Sequence, residues 1–66
     1  VQPDLEFFCR GHSYLAFART HTGRQWLARF HPEILKAGYA VVPERLAGNL
    51  IIEAVARGGL SVCLHP

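Results

Sequence analysis

Methionine is absent from these 66 residues, and cysteine occurs only at Cys9 and Cys63. Two cysteines are too few for the disulfide framework that holds many small secreted domains together. The fold must therefore rest on an apolar core, a Cys9–Cys63 bridge is not expected, and a reducing compartment is. With no methionine at Val1, the sequence is read as lacking its initiator. No signal-peptide pattern occurs, and no apolar run reaches membrane-spanning length. The expectation is a cytoplasmic protein with no membrane partner. Acids are scarce and scattered, at Asp4, Glu6, Glu33, Glu44 and Glu53. There is no G-x-S-x-G elbow, no phosphate-cradling glycine loop and no H-E-x-x-H. His12 and Ser13 are neighbours along the chain, and strand neighbours face opposite ways, so they make no dyad. The chain is expected not to be an enzyme and to carry no cofactor.

What is present is apolar. Half of the residues are hydrophobic and seven are aromatic. A chain this short makes one domain, residues 1–66, and buries only about 60% of the surface its unfolded form exposes. Some apolar side chains must stay exposed or be covered by a second molecule, and small domains often gain stability by oligomerising. The net charge of +2 sits in the first half, where Arg10, Arg19, Arg24 and Arg29 face only Asp4 and Glu6. That bias is compatible with an anionic partner, but it falls short of the dense basic stripe of a committed nucleic-acid binder.

Strand and helix patterns alternate along the chain. Leu5–Cys9 and Tyr14–Arg19 read as a hairpin, with Gly11 in its turn; the alternative is one bent strand. Thr22-x-x-Gln25 fits a capping box ahead of a helix carrying Trp26, Leu27 and Phe30, and Trp26 reads as core. Pro32 interrupts that helix, and Ile34–Lys36 restart a short turn that Gly38 stops. Gly38–Val42 and Leu60–Leu64 read as strands around a helix from Pro43 to Arg57. Its predicted buried stripe is Leu46, Leu50, Ile51, Ala54 and Val55. A helix between two short apolar strands is the mark of a crossover joining parallel strands. The fold class is α/β (α+β): ββαβαβ, with two helices on one face of a small mixed sheet and a C-terminal βαβ crossover unit. The uncovered face would then show Ser61, Cys63 and His65, and one of the adjacent Phe7 and Phe8. Phe8 is the candidate for the outward ring.

Arg10–Gly11–His12–Ser13–Tyr14–Leu15–Ala16–Phe17 resembles the octamer of RNA-recognition-motif domains. Arg10, Gly11, Tyr14, Leu15 and Phe17 match, while His12 and Ser13 depart. The family places this strand third, whereas here it lies near the start. The resemblance implies that open-face aromatics stack on bases beside a basic residue. Strand alternation would put Arg10, His12 and Tyr14 on the open face and Leu15 and Phe17 in the core. Cys9-x-x-His12 and Cys63-x-His65 would converge only if the first and last strands were neighbours. Their spacings are not those of zinc knuckles; both cysteines read more simply as small hydrophobes, and no metal site is expected.

The function this supports is a non-catalytic protein-interaction module acting through Phe8, Arg10, His12 and Tyr14, with a protein partner or a second copy as homodimer. The alternative is single-stranded nucleic-acid binding on the same open face. Ala18–Arg19–Thr20-x-x-Gly23-x-x-Trp26–Leu27, followed by a Val–Val strand and an amphipathic helix ending in Gly–Gly–Leu, is similar to small uncharacterised proteins of phages, plasmids and integron cassettes. That resemblance implies a stoichiometric inhibitor or adaptor of host machinery, anti-CRISPR proteins being one such class.

Overall fold

A computed structural model describes residues 2–66. The chain runs β1 (Leu5–Arg10), β2 (Ser13–Ala18), α1 (His21–Ala28), α2 (Ile34–Ala37), β3 (Tyr39–Pro43), α3 (Glu44–Ala56) and β4 (Val62–His65). This is the expected α+β class, with α2 as the short helical turn after Pro32. The four strands form one mixed sheet in the order β3-β2-β1-β4. Pairing is antiparallel for β1 with β2 and for β2 with β3, and parallel for β1 with β4.

The β1–β2 hairpin occupies the middle of the sheet. Its two-residue loop has Gly11 at φ 63°, a left-handed backbone that glycine adopts without a Cβ clash. Leu5, Phe7, Ala16, Ala40 and Val42 are all buried and share one side of the sheet. Leu27 of α1, Ile34 of α2 and Ala47, Leu50 and Ala54 of α3 complete that core, so all three helices cover the same face. No described helix is long and apolar enough to cross a membrane.

The crossover takes a wider form than two adjacent strands. β3 and β4 run in the same sense, as expected, but they are the two edges of the sheet with the hairpin between them. A 13-residue helix is about 20 Å long at 1.5 Å per residue. Three inter-strand gaps amount to about 14 Å, a distance α3 can bridge, and α3 packs against β3, β2 and β4. α3 turns Ala47, Leu50 and Ala54 to the sheet. Ala47 and Ala54 are buried, while Leu46 and Val55, read from sequence as core, are exposed.

One carboxylate ties the ends of the sheet to α1. The Asp4 Oδ1 accepts from the Thr20 hydroxyl at 2.6 Å, and Oδ2 accepts from the Ser61 amide at 3.0 Å. Thr20 Oγ1 in turn accepts from the Gly23 amide at 3.0 Å. The N-cap of α1 is therefore Thr20, two residues before the Thr22 that the sequence suggested. Gly23 lies so close to β1 that an added Cβ would sit 2.4 Å from the Asp4 carbonyl oxygen. Trp26 is half-buried and packs against the core rather than within it, with Phe30 beside it at a ring distance of 4.9 Å.

Candidate interaction face

The sheet face turned away from the helices is uncovered. Strand alternation and the register place Phe8 on it from β1, Leu15 and Phe17 from β2, and Tyr39 and Val41 from β3. Phe8 and Phe17 meet edge to face at 5.5 Å, and Phe17 and Tyr39 lie 6.0 Å apart. The result is a continuous apolar row across three strands, ending at the β3 edge, where Tyr39 is 41% and Val41 50% exposed. The Arg19 guanidinium lies over the Phe17 ring at 5.1 Å, within cation–π range.

Of the four residues singled out from sequence, Phe8 is on this face as expected. Arg10 shares its parity at the exposed end of β1, and His12 is at the exposed tip of the hairpin. Tyr14 is on the other face. It packs against the core and meets Phe7 edge to face at 6.5 Å. The outward positions of β2 belong to Leu15 and Phe17, which the sequence pattern assigns to the core. The reason is the register: with Cys9 opposite Tyr14 and Phe7 opposite Ala16, the inward face of β1 fixes that of β2. Loop length is the signal that could have found this, since a two-residue turn sets which residues pair.

At the β4 side of this face the row becomes polar. Glu6 and Cys63 are register partners, and His65, two residues on, projects to the same side. One oxygen of Glu6, Oε1, accepts from Arg19 Nε, and Oε2 lies 2.9 Å from His65 Nε2. Those two bonds, Arg19 first, hold the Glu6 carboxyl below its ordinary range. His65 Nε2 is also 3.5 Å from Cys63 Sγ. Phe8 stacks on the imidazole at 4.4 Å with the rings 7° apart. The four-residue set weighed from sequence does not assemble. Cys9 belongs to the face that carries Phe7 and Tyr14, and His12 to the hairpin tip. Glu6, invisible to any local spacing, takes their place.

A second apolar concavity lies on the helix side, about 350 Å³ between Phe30, Val42, Leu46 and Leu50. Its rim carries His31, Asn49 and Glu53, of which His31 contacts Glu33 at 3.3 Å and Glu53 contacts Arg57 at 3.3 Å. It offers no convergent polar groups of the kind that orient a small ligand. No family model, curated protein or solved structure matches this chain.

Proposed function

We propose that this chain is a non-catalytic protein-interaction module whose working surface is the uncovered sheet face, with self-association as the simplest use of that surface. The observation that supports it is the unbroken row of Phe8, Leu15, Phe17, Tyr39 and Val41 on a face with no helix over it. Contiguous apolar surface of this kind is characteristic of interaction sites. The row ends at an edge strand, where further main-chain donors and acceptors can pair with another chain. The resemblance to phage, plasmid and integron-cassette proteins suggests a cytoplasmic inhibitor or adaptor of host machinery as the form this binding takes.

The test is solution mass by size-exclusion chromatography with light scattering, at low and high salt. A dimer at both salts that becomes a monomer in Val41→Lys, with unchanged circular dichroism, is expected. A monomer at all concentrations and salts, together with no loss of any partner's binding in Val41→Lys, overturns the reading.

A second reading is supported by Arg19 over Phe17. Three aromatic rings in a row flanked by Arg10 and Arg19 also suit the stacking of unpaired bases. In that case an oligonucleotide binds with an affinity that falls steeply with salt, because phosphate contacts release counterions. Phe17→Ala abolishes that binding. Tyr14→Ala leaves it in place, because Tyr14 is on the covered face.

A further inference from the structure

We propose that Glu6, Cys63 and His65 form a binding site for one divalent cation of the zinc class. The ligand atoms, Glu6 Oε2, Cys63 Sγ and His65 Nε2, lie within 4.8 Å of one another. Tetrahedral zinc, with a Zn–S bond of about 2.3 Å and a Zn–N bond of about 2.0 Å, requires sulfur and nitrogen about 3.5 Å apart. The Cys63 Sγ–His65 Nε2 distance is 3.5 Å. The same geometry asks for about 3.3 Å between nitrogen and oxygen, and the Nε2–Oε2 distance of 2.9 Å needs to open by only a few tenths of an ångström.

The backbone builds this arrangement. Glu6 and Cys63 face each other across the parallel β1–β4 ladder, and Cys63-x-His65 is the strand spacing that returns to the same face. All three residues are half-buried, shielded enough to be ordered and open enough to admit an ion. Outer partners orient the ligands, as they do around established metal sites. Arg19 holds the second oxygen of Glu6, which turns Oε2 towards His65. Phe8 lies flat on the imidazole and fixes its plane. A thiolate, an imidazole and a carboxylate make a mixed S, N, O set that suits zinc and not magnesium or calcium. With the thiolate and the carboxylate against the cation and the neighbouring Arg19, the loaded site keeps one net positive charge, which favours a hydroxide or an anionic group at any further position. Three protein ligands leave a fourth position open to water or to a ligand from another molecule.

Cobalt(II) serves as the spectroscopic probe. Titration of reduced wild-type protein is expected to give a near-ultraviolet thiolate-to-cobalt charge-transfer band that saturates at one ion per chain and is displaced by zinc. Cys63→Ser abolishes the band, His65→Ala and Glu6→Gln each weaken or abolish it, and Cys9→Ser leaves it intact. The His65 side chain is only half-buried and is outside the buried core, so His65→Ala is expected to remain folded, which keeps the test decisive. Absence of the band with stoichiometric cobalt overturns the proposal. So does a band of unchanged strength in Cys63→Ser or in His65→Ala, or one lost in Cys9→Ser.

Discussion

Asp4 holds three parts of the chain through a single carboxylate, and its ionisation is therefore tied to the fold. The Thr20 hydroxyl, then the Ser61 amide, stabilise the charged form and hold its pKa below the ordinary value. A folded-state pKa below the unfolded one contributes stability that is fully present above the unfolded value. That stability is lost as pH falls through the folded one. Urea unfolding with a chelator present should show this loss on the acid side, and Asp4→Asn should flatten that limb of the curve. Thr20→Ala removes the cap acceptor as well, at a cost of about 1 kcal/mol. Two glycines on helices should respond in opposite directions. Gly23→Ala drives a Cβ into the Asp4 carbonyl and should destabilise by at least about 1–3 kcal/mol, as overpacking does. Gly48 is exposed on α3, and an added methyl there would meet nothing within 4 Å. Gly48→Ala should therefore stabilise by up to about 1 kcal/mol through helix propensity alone.

At the scale of elements, the local signals and the tertiary ones separate cleanly. The end of α3 before Gly58–Gly59, the break at Pro32 and the outward face of β4 are written in nearby residues and are found where the sequence places them; α3 itself starts one residue later than read, at Glu44, with Pro43 as its N-cap. The α1 cap is not where the sequence places it, because Thr22, with Gln25 three residues on, is locally the better cap and yet is not the one used. Asp4, 16 residues away, selects Thr20. The inward face of β2 is illegible in its own residues because Leu15 and Phe17 are more apolar than Ala16 and Ala18. The choice is made by β1, whose Leu5 and Phe7 are fully buried. Glu6 is not legible as a ligand because its neighbours Cys63 and His65 are reached only through the β1–β4 register. The register makes a direct prediction. Tyr14→Ala should cost on the order of 2–3 kcal/mol of stability, as a large-to-small change beside the core, and leave the association constant unchanged. Phe17→Ala should do the reverse, with the smaller effect on unfolding and the larger on association. Denaturant titration and sedimentation of the two variants distinguish them.

For the molecule as a whole, the hydrophobic surplus seen in composition has a definite distribution. One share is the aromatic row on the uncovered face. Another is on the helix layer, where Leu46, Ile52 and Val55 of α3 and Leu35 of α2 are exposed. The parallel pairing of the first and last strands has a mechanical meaning. β1 begins near one end of the described chain and β4 finishes at the other, side by side and pointing the same way. A pull on residues 2 and 66 drags the two strands past each other along their length. Every hydrogen bond between them is then loaded together, as in a lap joint, and none can peel ahead of the rest. Tension along the chain therefore meets this pair in shear.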